Sequence, residues 1–173
     1  MAGKYIIVSA GHGDRDPGAV ALDVIEHLHA YQIAWILRSH LEAKGHDVDF
    51  ISCFQPLSAK IRNVNELHKA KPVDMAIEIH FNSAVNPDAD GTEVLFYSPK
   101  LEPLAKQISG DVAAAIKTKD RGAKKRDNLG WLKQTAPSAL IVEVCFVSSP
   151  DDRAAISEDG FHIRAAAGIA KGI

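Results

Sequence analysis

The chain has 173 residues, 46% hydrophobic and 24% charged, with a formal net charge of −2. Those values describe one globular domain with a sizeable core, and the near-neutral balance gives no reason to expect nucleic acid or an anionic membrane surface as partner. No apolar run approaches the ~20 residues that span a bilayer, and two cysteines in apolar runs (FISCF, VEVCF) read as buried thiols and not as a disulfide scaffold.

The N-terminal stretch MAGKYIIVSAGHG runs straight into a strand, KYIIVSA, without the basic region, apolar core and cleavage site of a secretory signal. The expectation is a chain made without an export signal, or a trimmed one. Residues 21–44 read as a long helix with Ile25, Leu28, Ile33, Ile36, Leu37 and Leu41 on one face, stopped by Gly45. HDVDFISCF is a second strand, and residues 58–71 are a shorter helix ended by Pro72. In the third strand, VDMAIEIHF, Met75, Ile77 and Ile79 alternate against Ala76, Glu78 and His80. A loop (NSAVNPDADG), a strand (TEVLFYS), a helix over 101–117 and a basic loop (TKDRGAKKRDN) follow. SALIVEVCFVS is a strongly apolar strand, and an Ala-rich helix runs from Phe161 to the end. Strands separated by helices predict a single α/β domain over residues 1–173, with a twisted, mostly parallel sheet of about six strands and helices on both faces.

In such sheets, sites collect at the carboxyl ends of strands. His12, His80 and Glu143 each lie at or near one, and Glu26 sits at the start of the long helix. His12 stands between Gly11 and Gly13, a setting that presents a side chain and does not pack it. Glu143 lies among apolar neighbours in LIVEVCF, where a carboxylate is costly unless it is paired or near a metal. Two imidazoles and two carboxylates from four elements could meet at one sheet edge. Two His and one Glu form a known catalytic zinc set, with the second carboxylate free to move a proton. The intervals match no compact zinc motif, and any one of these histidines by itself could equally be structural.

Four segments, in order, resemble the zinc-dependent N-acetylmuramoyl-L-alanine amidases that share the amidase-3 domain. GHGDRDPGA is similar to the family's GHGGxDPGA opening. Glu26, nineteen residues before Gly45, is similar to the glutamate that opens the family's helix. IEIHFNSAVNPDADGTEVLFY resembles SIHxNS…GxEVxY, with His80, Asn82 and Gly91 in place, and ALIVEVCFVSSPDD resembles VExGFxSNxxD, with Glu143 in place. The resemblance runs from Tyr5 to about Gly168. It implies one zinc ion held by His12, Glu26 and His80, with Glu143 as catalytic base and acid. It also implies hydrolysis of the amide between N-acetylmuramic acid and the L-alanine of the stem peptide, so bacterial peptidoglycan is the partner. Asn82, Asn128 and Trp131 are the candidate substrate-binding residues; Trp131 is either a binding platform or a core tryptophan.

The resemblance and the missing signal together lead us to expect the catalytic domain of a phage endolysin, a monomer held in the host cytoplasm until it is released to the wall. A C-terminal wall-binding module would be absent from this chain. A bacterial autolysin or sporulation amidase is the nearby alternative. Another zinc hydrolase, carboxypeptidase-like or acting on N-acylated amino acids, would need a carboxylate-binding arginine, for which Arg15, Arg121 and Arg126 are candidates. An inactive wall-binding module is the third reading.

Three positions depart from the family pattern. Asp14 replaces a glycine and is read as a turn residue before a partner for the His12 ring. Cys145 replaces a glycine; alternation puts it on the Glu143 face, with packing preferred over metal ligation. Ser149 replaces an asparagine and puts local loop geometry in question. On the helix, Glu26 and His27 point about 100° apart, so only one can face His12, and Glu26 is favoured. His29 also lies close, while His40, His46, His68 and His162 read as surface residues. The segment 117–126 (KTKDRGAKKR) holds six positive residues and one aspartate. It is read as a solvated loop before a contact to anionic wall polymer.

Overall fold

The computed structural model describes residues 3–13 and 15–173; the Asp14 reading therefore falls outside the described residues. In chain order the elements are β1 (Tyr5–Ala10), β2 (Val20–Ala21), β3 (Val24–Ile25), α1 (Glu26–Ala43), β4 (Asp47–Ile51), α2 (Leu57–Ala70), β5 (Met75–Asn82) and β6 (Thr92–Phe96). A 3-10 turn at Pro99–Leu101 leads into α3 (Glu102–Ile116), then β7 (Asp120–Lys125), α4 (Gly130–Gln134), β8 (Ala139–Phe146), α5 (Pro150–Ile156) and α6 (Phe161–Lys171).

Six strands form one sheet in the order β4-β1-β5-β8-β6-β7. The first four are mutually parallel, β6 runs antiparallel to β8, and β7 is parallel to β6. The expected α/β domain is thus present, with helices on both faces. The larger core cluster packs Ile6, Val8, Ile77, Ile79, Leu140 and Val142 against the inner faces of α1, α3 and α6. The smaller one packs Ile7, Ala76, Ile141 and Leu95 against Ile61 and Val64 of α2 and Trp131 and Leu132 of α4. β1, β5 and β8 are interior strands buried on both faces, which is why their sequences read as near-continuous apolar runs. Among the described residues, no helix is long and apolar enough to cross a membrane.

Three local expectations are corrected. The long helix begins at Glu26 and not at residue 21, because Val20–Ala21 and Val24–Ile25 pair as a small antiparallel hairpin. Its buried stripe is Ala30, Ile33, Ala34, Leu37 and Leu41, while Leu28 is exposed. The helix ends as Gly45 implied: Gly45 has φ 86°, its N–H donates to Glu42 O at 2.9 Å, and the His46 N–H donates to Leu41 O at 3.1 Å. The basic loop is instead an edge strand, β7, whose lysines suit a half-solvated edge that must not pair with other chains.

The third correction concerns Cys145. His80 pairs with Glu143 but Asn82 pairs with Phe146, so β8 carries an extra residue between those two rungs. That bulge breaks the alternation. Val144 and Cys145 both join the larger core cluster, and Cys145 is fully buried and free. Ser149 in turn caps α5, its hydroxyl accepting from the Asp152 N–H at 3.3 Å. Serine and asparagine cap about equally well, so the exchange is conservative.

Asp152 joins two segments beside the sheet edge. Its Oδ2 accepts from Gly91 N at 2.8 Å and from Phe146 N at 2.7 Å, all buried. Asp152→Ala leaves two buried donors without an acceptor and should lower stability by about 2–3 kcal/mol, read as a lower urea midpoint with an unchanged slope.

Candidate metal and catalytic site

β1 ends at Ala10, and the ladder with β5 continues one step further through Gly11 N to Ile79 O at 2.7 Å. A side chain at Gly11 would put its Cβ 2.1 Å from the His80 ring, so glycine is required by that close approach. His12 follows with φ 57°, a left-handed conformation that a non-glycine residue adopts only when its surroundings enforce it. The enforcement is visible. Gly13 and Asp16 exchange two backbone hydrogen bonds (2.8 and 2.9 Å) that close a tight loop. This returns the Asp16 carboxylate to 2.8 Å from His12 Nδ1.

Glu26 is the first residue of α1 and is 2% exposed. The β2–β3 hairpin folds it back on Ala19: Glu26 N donates to Ala19 O at 3.0 Å, and Ala19 N donates to Glu26 Oε2 at 2.8 Å. Its other oxygen accepts from Phe81 N at 2.9 Å. The same Oε1 lies 3.0 Å from His80 Nδ1 and 3.3 Å from His12 Nε2. Burial acts to raise the Glu26 pKa, yet the two imidazoles hold it well below the usual carboxylate range.

His12, Glu26 and His80 each offer one ligand atom, and these atoms lie within 4.8 Å of one another. The donor set, two imidazoles and one carboxylate, suits a divalent cation of the zinc class. Two further observations fit a cation there. The outer nitrogen of each imidazole meets a carboxylate, Asp16 for His12 and Glu78 for His80 (Nε2 to Oε2, 3.0 Å); metal-bound histidines ordinarily have such a partner. The site also carries surplus negative charge. Burial acts to lower the His80 pKa, but Glu26 and Glu78 outweigh it and hold it up at about 10, the direction in which carboxylates around the ring favour positive charge.

Glu143 sits beside this group and not in it. It is the rung partner of His80 on one side and of Glu93 on the other. Its Oε2 is buried without a hydrogen-bond partner. Burial pushes its pKa up to about 7, with His80 acting in the opposite direction and Glu26 and Glu93 adding to the rise. A carboxyl group poised near neutrality with one oxygen unengaged can both take and return a proton.

A cavity of about 450 Å3 opens against the two histidines, between the start of α2 (Pro56, Leu57) and the start of α4 (Leu129, Gly130). Trp131 lines it, but the residue is 1% exposed and its Nε1 donates to Leu140 O at 3.2 Å. It is a core tryptophan; an open stacking platform needs an exposed ring face. Asn128 is exposed in the turn before α4 and is not among the cavity-lining residues. Asn82 lies at the end of β5 and spends its side chain internally, donating to Glu93 Oε1 at 3.3 Å and accepting from Ser83 N at 2.8 Å. Of the three arginines considered for a carboxylate-binding role, Arg121 is committed to Glu93 (2.8 Å) and Asp90 O (3.2 Å), and Arg126 is exposed and donates to Lys125 O. Only Arg15 lines the cavity.

His27 does not join the group, and its Nδ1 is buried without a partner. The remaining histidines are half-buried and not superficial. His46 Nδ1 accepts from Lys4 N, His68 Nδ1 accepts from Val73 N, and His162 stacks on His29. Glu78, Lys60 and Asp16 did not stand out in the sequence. The signal for Glu78 was the one that marked Glu143, a carboxylate in an apolar run and on the face of a candidate ligand.

A Cβ at Gly18, where φ is +68°, would lie 2.5 Å from Glu26 Oε2 and 2.7 Å from the His12 ring. Gly18→Ala should therefore displace both side chains. The expected result is loss of cation-induced thermal stabilisation while the cation-free protein still unfolds cooperatively, as followed by calorimetry with and without added metal.

The chain resembles the germination-specific N-acetylmuramoyl-L-alanine amidase of Bacillus subtilis, 22% identical over the whole of this chain and 79% of that protein. It resembles the endolysin of Bacillus phage SPP1, 29% identical over 98% of this chain and 65% of that protein. The structure superposes on the catalytic domain of the CD27L endolysin, which targets Clostridia difficile, with a TM-score of 0.85, 28% identity, and coverage of 98% of this chain and 96% of that domain. The family profile described as N-acetylmuramoyl-L-alanine amidase (Amidase_3) matches residues 6–173, and the chain belongs to that family.

Proposed function

We propose that this chain is a zinc-dependent peptidoglycan amidase that cuts the amide between N-acetylmuramic acid and the L-alanine of the stem peptide. The observation that carries the reading is the convergence of His12, Glu26 and His80 at the carboxyl edge of the sheet, with Glu143 paired to His80 on the neighbouring strand. His12, Glu26 and His80 would hold the ion. Zinc in this setting supplies Lewis-acid polarisation of the scissile carbonyl and of the attacking water.

The chain's own groups do the rest. Glu143 accepts a proton from the attacking water and hands it to the alanine nitrogen as the C–N bond breaks. Its pKa of about 7 suits both transfers at neutral pH. Glu26, clamped by two backbone N–H groups, keeps the two imidazoles in fixed register. The cavity beside them receives the peptide or the sugar flank of the substrate. A lytic role, in which a phage releases the enzyme to the wall, is supported by the likeness to two endolysins.

Digestion of purified peptidoglycan by zinc-loaded protein should expose free N-terminal L-alanine on intact stem peptides, identified by mass spectrometry. Glu143→Gln keeps the shape and removes the base, and should lower that rate by about 10²–10⁴-fold. New reducing sugars or new ends inside the peptide would overturn the assigned bond.

A further inference from the structure

No proton or bond in the reaction just described involves Glu78 or Lys60, yet both border the same cavity and are buried there, 2% and 3% exposed. Glu78 lies on β5 two residues before His80, hence on the same face. One of its oxygens pairs with the Lys60 ammonium; the other is 3.0 Å from His80 Nε2. Lys60 projects from the inner face of α2 and also donates to Ala10 O at 3.0 Å, at the end of the strand that leads to His12. A buried ion pair of this kind contributes little to stability compared with two apolar side chains of the same volume. Its place beside a candidate ligand gives it a different use.

We propose that Glu78, neutralised by Lys60, is a positioning residue for His80: it accepts the Nε2 proton and so fixes the ring with its Nδ1 lone pair toward Glu26 and His12. The inference rests on the reading of His12, Glu26 and His80 as zinc ligands. Without an acceptor at Nε2 the neutral ring can carry its proton on either nitrogen, and one of those tautomers cannot ligate through Nδ1. A carboxylate acceptor also makes the ring a stronger donor to a metal. Lys60 has a second effect. With its ammonium on the first oxygen, Glu78 is engaged on both sides and is not a free competing ligand. Asp16 stands in the same relation to His12, but its side chain is 68% exposed against 3% for Glu78. Water can replace Asp16 far more readily, so the two positions should differ in effect.

The test is zinc affinity, by competition with a chelating dye, together with the nitrogen chemical shifts of the His80 ring in the zinc-loaded protein. Wild type should bind one zinc, with the His80 signal showing Nδ1 on the metal and Nε2 protonated. Glu78→Gln should bind 10- to 100-fold more weakly, and Asp16→Asn should lose less. Because Glu78→Gln keeps an amide oxygen able to accept from Nε2 and leaves Lys60 buried without its counter-charge, the paired variant Lys60→Met, Glu78→Met, which removes both charges and the acceptor, is measured as well. It should fold about as stably as wild type and still show the weaker zinc binding. Equal zinc affinity in wild type and the paired variant, or ligation of zinc through Nε2, overturns this inference and leaves the zinc reading intact. Failure of wild type itself to bind zinc overturns both.

Discussion

The carboxylate of Glu26 is where the site is held together. Four pieces of chain reach it: the loop after β1 through His12, the hairpin entry through Ala19 N, strand β5 through Phe81 N and His80, and helix α1, of which it is the first residue. A carboxylate is favoured at a helix N-terminus by the unpaired N–H groups and the helix dipole. Here that favourable position is also 2% exposed. Such a group is tolerable only with several partners, and it has two backbone donors and two imidazoles. The same bonds that make its burial tolerable set the spacing of the three candidate ligands.

The geometry around it follows from the backbone. His12 can reach Glu26 only because Gly11 and Gly18 leave room for the His80 and His12 rings, and because the Gly13–Asp16 loop holds His12 at a positive φ. β5 and β8 are neighbours in the sheet, which puts Glu143 directly across from His80 on the same rung. The bulge that follows on β8 turns Cys145 into the opposite core and leaves Glu143 without a thiol at its side. Separate elements thus deliver the candidate ligands and the candidate base to one edge, with the α1, α3 and α6 layer carrying the packing behind them.

Much of this was legible in the sequence, for physical reasons. Apolar runs marked the interior strands because those strands are buried on both faces. His12 between glycines and Glu143 within LIVEVCF stood out because each breaks a local rule that functional or strained positions relax. What stayed hidden depended on tertiary contact. Strand β7 looked like a loop because an edge strand with one solvated side is rich in charge. The hairpin before α1 was too short to interrupt the helical pattern. Lys60 carries no distinguishing signal in the sequence, and only the packing of α2 onto β1 and β5 shows it paired with Glu78. Asp16 gains its place from the fold of a tight loop, to which sequence spacing is blind.

The central claim is that His12, Glu26 and His80 together bind one zinc ion with no thiolate. X-ray absorption at the zinc edge, on protein loaded with one equivalent, tests it most directly. The account requires two imidazole nitrogens and a carboxylate oxygen at about 2.0–2.2 Å, with the imidazole scattering signature halved in His12→Ala. A sulfur shell near 2.3 Å, or a spectrum unchanged by His12→Ala, would contradict it.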